Sequence, residues 1–105
     1  VQSVPEPDSA IVNFGKRDSA FDAGLPQPVA HYRQGKTLPV PTSLVETVGM
    51  MDQYAMLKLK HGAQLQVGDM LLFSTSHPCL TFDKWQVLLL VDDDYNLLDE
   101  LATAF

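Results

Sequence analysis

The feature that most constrains this chain is its rhythm: short apolar runs broken by glycine, proline and aspartate, with no long stretch carrying the 3.6-residue period of an amphipathic helix. Such a pattern predicts an all-β domain, mainly antiparallel, closed as a barrel or stacked as a sandwich. Tyr54 to Lys60 illustrates it. Leucine alternates there with lysine, so a strand buries Leu57 and Leu59 on one face and sends Lys58 and Lys60 to water.

Further strands are expected at Ser9–Lys16, Val29–Arg33, Leu44–Val48 and Met70–Ser74. The last is almost continuously apolar, which suits burial on both faces. Gly35-Lys36 and Val67-Gly68-Asp69 read as turns, and the proline-flanked Leu38–Pro41 as extended chain. A terminal hairpin should pair Trp85–Val91 with Tyr95–Thr103 across Asp92-Asp93-Asp94. Local propensity in Asn96–Ala104 favours a helix, but the preceding turn invites pairing, and strand is the expectation.

With 105 residues, 46% of them hydrophobic, the chain has material for one core, and residues 1–105 are expected to form one domain. It opens on Val1, in a segment carrying Pro5 and Pro7, so residues 1–8 are expected to be a passage between domains in a longer protein. A formal charge of −6 argues against nucleic-acid and anionic-lipid partners. No run reaches the roughly 18 apolar residues of a membrane span, and the lone Cys79 makes no intrachain disulfide. A cytoplasmic setting is the simplest expectation.

One segment combines groups with chemistry. Ser76-His77-Pro78-Cys79 follows a predicted strand and precedes Thr81-Phe82-Asp83-Lys84-Trp85. In extended chain, residues two apart share a face, so the His77 imidazole and Cys79 thiol would converge. Imidazole with thiolate is a donor pair that suits Zn²⁺. Two ligands leave positions for water and substrate, or for ligands from elsewhere. The bland alternative is a buried Cys79 and a hydrogen-bonded loop His77. Asp83 is near enough in sequence to orient His77.

Other conspicuous residues have plainer explanations. Asp92–Asp94 lacks the alternating ligands and closing glutamate of a calcium loop and reads as a solvated turn. His31 and His61 are expected to be structural or exposed, and Asp22 to cap backbone. Trp85 and Phe82 are expected in the core, with Trp85 anchoring the final strand beneath the His77 loop.

Taken jointly, Val67-Gly68-Asp69, Ser76-His77-Pro78-Cys79, Thr81-Phe82-Asp83-Lys84-Trp85 and Thr103-Ala104-Phe105 resemble the C-terminal domain of the D-serine dehydratase and D-threonine aldolase family. Asn13-Phe14-Gly15-Lys16-Arg17-Asp18 and Phe21-Asp22-Ala23-Gly24-Leu25-Pro26 look like the entry segment of bacterial amino-acid deaminases in it. The resemblance implies a β domain facing an alanine racemase-like (β/α)₈ barrel, the barrel carrying pyridoxal phosphate on a lysine. It implies zinc held by His77 and Cys79, α-proton abstraction from a D-amino acid, and a homodimer. The fragment alone would be inactive, and Lys16, Lys36 and Lys84 are not candidates for the cofactor lysine. The chain departs from many relatives at Asp52-Gln53-Tyr54, where they carry a histidine and it has Tyr54. Cysteine at position 79 favours the deaminase branch over the aldolases. The alternative is a non-catalytic β domain for dimerisation or partner binding.

Overall fold

A computed structural model describes residues 1–37 and 42–104. The expectation of extended chain at Leu38–Pro41, and the final residue of the Thr103-Ala104-Phe105 motif, lie outside the described residues. Among the described residues the fold is all-β apart from one short helix and a 3₁₀ turn at Thr42–Leu44. Every strand pairing among the described residues is antiparallel.

Four strands form the largest sheet: β1 (Ser3–Glu6), β2 (Ser9–Val12), β6 (Ala55–Leu59) and β5 (Val45–Met50), in that spatial order. Its inner face follows the period of two. Strand β2 buries Ala10 and Val12, β6 buries Ala55, Leu57 and Leu59, and β5 buries Val45 and Thr47. The register stacks these residues across strands, with Ala10 opposite Leu57, Val12 opposite Ala55, and Val45 opposite Leu59. Each Leu or Val taken out of water here contributes about 1.5–3 kcal/mol. Segment 1–8, expected as a passage between domains, thus includes an edge strand of this sheet.

A second sheet has the order β4 (Lys36–Thr37), β3 (Pro28–Arg33), β7 (Met70–Phe73). The β3–β4 turn is Gln34-Gly35, both with positive φ (52° and 75°), the left-handed pair that matches the twist of a two-residue hairpin. Leu71 and Phe73 pack on the core of the first sheet, and the Phe73 and Phe14 rings lie 4.6 Å apart. Strand β7 is therefore covered on one face only. Met70 (70% exposed) and Leu72 point outward, which corrects the expectation of burial on both faces.

The terminal hairpin forms as expected, β8 (Val87–Val91) pairing with β9 (Leu97–Ala102) as a separate two-stranded sheet. Asp92 builds its turn, accepting from the backbone N–H groups of Asp94 and Asn96, both at 2.9 Å, and from the Asn96 amide. A carboxylate satisfying orphan donors in this way is a turn device. Contacts at its tip and at its base tie the hairpin to the body. Tyr95 at its tip meets Tyr32 of β3 through a hydroxyl–hydroxyl hydrogen bond and an edge-to-face contact with centroids 5.6 Å apart. Trp85 at its base donates its indole N–H to the Asp18 carbonyl at 2.8 Å. Trp85 and Phe82 are nonetheless 45% and 40% exposed, which corrects the expectation that they enter the core. The core lies between the two larger sheets, and these aromatics stand beyond its edge.

Candidate functional site

His77 lies just past β7, where the chain turns into α1 (Pro78–Phe82). Here the local expectation fails. Segment 77–79 is not extended: His77 is the N-cap, with φ −139° and ψ 86°, and Pro78 is the first helical residue. Proline suits that position because its fixed φ is already helical and its missing N–H would have had no intrahelical partner. The His77 carbonyl then accepts from the Thr81 N–H at 3.2 Å and from the Thr81 hydroxyl at 3.0 Å. Cys79 consequently sits in the first turn of a helix rather than on a strand face shared with His77. Its thiol is exposed and free.

His77 is half-buried, and its Nδ1 lies 2.8 Å from Oδ2 of Asp22. The hydrogen bond from the His77 ring holds the Asp22 carboxyl below the usual carboxylate range. The acidic partner is thus Asp22, from the loop between β2 and β3, and not Asp83. Asp83 is the C-cap of α1, its N–H directed at the Cys79 carbonyl at 3.4 Å. Six residues of helical path carry it about 9 Å along the axis from His77.

The Asp22 loop is pinned on both sides of that carboxylate. Upstream, the Ala20 N–H donates to Oγ1 of Thr81 at 3.0 Å. Downstream, the Ser76 hydroxyl donates to the Gly24 carbonyl at 2.6 Å. Thr75 completes the set through a hydroxyl–hydroxyl bond to Thr81 at 2.8 Å. Thr81 gives its own proton to the His77 carbonyl and so receives that of Thr75. Segment 20–24 and segment 75–81 therefore form one hydrogen-bonded unit that presents His77.

The donor set can be judged against zinc from this geometry. With Nδ1 engaged by a carboxylate, Nε2 is the nitrogen the neutral His77 ring has left to offer a metal, and the Cys79 thiol is exposed. An imidazole nitrogen and a thiolate fit Zn²⁺ chemically. Among the described residues no cluster of three or more His, Cys, Asp or Glu side chains is arranged to hold a metal.

A second polar cluster went unnoticed in the sequence. Asp69, 2% exposed at the mouth of β7, accepts from Arg33 Nε at 2.7 Å and Nη2 at 2.8 Å, from the Gln66 N–H at 2.9 Å, and from His31 Nε2 at 2.8 Å. The Arg33 guanidinium, first among these donors, pulls the Asp69 carboxyl far below its ordinary value. Because the carboxylate only accepts, His31 carries its proton on Nε2 and is a buried structural residue, as expected of it. The Val1 ammonium reaches the Asp69 carbonyl at 2.5 Å. His61 is exposed in a turn, with φ 52°.

The loop at Asn13–Ser19 is also fixed closely. Lys16 and Arg17 donate backbone N–H groups to the Met51 and Asp52 carbonyls at 2.8 and 3.0 Å, and Asp18 accepts from the Gly15 N–H. Gly15 is required by that approach: a Cβ there would stand 2.6 Å from the Asp52 carbonyl. The Lys16 ammonium lies over the Phe21 ring, 4.9 Å from its centroid. No helix among the described residues is long and apolar enough to cross a membrane.

No curated protein matches the chain. A family model described as "Putative serine dehydratase domain" matches residues 1–91, a span that takes in β1 to β8 and α1 and includes Asp22, His77 and Cys79. That match covers most of the chain and agrees with the joint motifs around His77, and the protein therefore belongs to the D-serine dehydratase-like domain family.

Proposed function

We propose that this domain contributes His77 and Cys79 as a zinc-ligand pair to the active site of a pyridoxal-phosphate-dependent lyase acting on D-amino acids of the D-serine type. The observation that supports it most is the setting of His77: Nδ1 is occupied by a carboxylate, Nε2 has no hydrogen-bond partner among the described residues, and an exposed thiol follows two residues later. Family membership supplies the dehydratase context. Bound there, zinc supplies Lewis acidity toward a substrate carboxylate or a departing β-hydroxyl.

The chain's own residues act by placement. Thr81 holds the His77 carbonyl, Pro78 fixes the first helical turn, and the hydrogen-bonded 20–24 segment limits the directions the imidazole can take. The cofactor lysine belongs to a companion barrel domain. Lys16 lies over Phe21 and Lys60 pairs with Glu46 at 2.9 Å, so neither is assigned a role in the chemistry. Zinc measured in the full-length protein, together with ammonia release from D-serine, tests the proposal. Zinc near one equivalent and turnover that both fall in His77→Ala and Cys79→Ala are expected, whereas a zinc-free protein that leaves D-serine unchanged would refute it.

One observation favours a second role. Leu89, Leu97 and Leu98 are each more than half exposed on a hairpin that no other strand among the described residues joins, as a lobe used for dimerisation would present them. Sedimentation of the full-length protein as a monomer at high concentration would count against it.

A further inference from the structure

We infer that Asp22 is the positioning residue of the His77–Cys79 site: it accepts the hydrogen bond from the imidazole Nδ1–H, so that the neutral ring keeps Nε2 unprotonated as the metal-binding nitrogen. The inference rests on the zinc reading above and adds to it a residue that neither spacing nor local sequence had singled out for this role.

Three observations carry it. The first is the contact itself, Nδ1 to Oδ2 at 2.8 Å across 55 residues of sequence. A carboxylate only accepts, so the proton between the two groups is on Nδ1, and neutral imidazole has only one N–H to give. In the neutral ring Nε2 is then the lone-pair nitrogen. The second is that Asp22 is held on both flanks. Ala20 is bound to Thr81 and Gly24 to Ser76, so the residues that fix Asp22 belong to the segment that carries His77. The carboxylate and imidazole are therefore held by one hydrogen-bonded unit. The third is the helical turn at Pro78, which takes Asp83 away and leaves Asp22 as the acid that meets this imidazole. A carboxylate on the far nitrogen of a metal-binding histidine fixes its tautomer and ring orientation and raises its basicity, an arrangement whose loss typically costs about 10–100-fold in metal affinity.

The test uses full-length protein labelled with ¹⁵N-histidine, with Asp22→Ala and Asp22→Asn as variants. In the metal-free wild type, His77 should show a protonated Nδ1 and an unprotonated Nε2. In Asp22→Ala the proton should redistribute toward Nε2, and zinc affinity by chelator competition should fall about 10–100-fold. Asp22→Asn keeps an acceptor oxygen without the charge and should fall between the two. That intermediate variant, with an unchanged melting temperature, separates positioning from a general loss of fold. A wild-type His77 protonated at Nε2, or an Asp22→Ala protein with unaltered tautomer and zinc affinity, would overturn the role of Asp22. A wild type with the expected tautomer that binds no zinc would instead overturn the metal reading on which that role depends.

Discussion

Replacing Asp69 by asparagine is expected to destabilise the fold by about 3 kcal/mol and to remove part of its sensitivity to acid. The carboxylate is almost wholly buried and accepts four hydrogen bonds, one at Oδ1 and three at Oδ2. Asparagine can keep its oxygen where Oδ2 stood and still accept from Gln66 and His31. Its NH₂ then faces the Arg33 Nε–H, donor against donor, and the guanidinium loses its counter-charge. Breaking a fully buried pair costs about 3–5 kcal/mol. The lower end applies because the Arg33 side chain keeps 29% of its surface exposed and can be hydrated. At about 4–8 °C per kcal/mol, the melting temperature should fall by about 12–24 °C. The pH dependence follows from the depressed folded-state value of Asp69. Its contribution is present in full above the ordinary carboxylate range and is lost as pH falls from about 4 toward the folded value, where the native state must also take up the proton. Urea unfolding of wild type and Asp69→Asn at pH 7 and at pH 3 measures both effects. The gap between them should narrow at the lower pH. A variant within about 0.5 kcal/mol of wild type at pH 7, with the same loss of stability in acid, would refute the account of this cluster.

Two further substitutions probe how the site is supported. Gly15→Ala places a methyl group against the Met51 and Asp52 carbonyls and should cost about 1–3 kcal/mol, read as a lower urea midpoint; an unchanged midpoint would show that the loop yields freely. Leu57→Ala removes the largest fully buried apolar side chain, between Ala10 and Thr47 in the sheet register, and should cost about 2–5 kcal/mol by the same assay.

Much of the fold was legible because burial imposes a period that sequence displays. Ala55, Leu57 and Leu59 alternate with Met56 and Lys58, and the structure buries the first set. The Asp92–Asp94 turn also prevailed over the helical propensity of Asn96–Ala104, since strand β8 supplies a ladder that local preference does not know about. The failures were of two kinds. At Pro78 the same residue that favours extended chain before it also favours a helix after it, and the chain takes the helix, with the Thr81 N–H and hydroxyl both bonding back to the His77 carbonyl. At Asp22 and Asp69 the partners lie 55 and 36–38 residues away, and no local pattern encodes a contact across that distance. Phe21-Asp22-Ala23-Gly24 was conspicuous as part of a family resemblance, yet nothing in its spacing pointed to His77. The exposed hydrophobic hairpin was likewise hidden, because alternation tells which residues share a face but not whether anything covers it.

The central claim, that His77 and Cys79 together hold a metal, is tested most directly by cobalt substitution of the full-length protein. Thiolate bound to Co²⁺ gives a near-ultraviolet charge-transfer band that imidazole and carboxylate ligands do not. The band should appear in wild type with one equivalent of Co²⁺, vanish in Cys79→Ala, and weaken in His77→Ala and Asp22→Ala. A wild type that takes up Co²⁺ without the band, or a Cys79→Ala variant that retains it, would contradict the account.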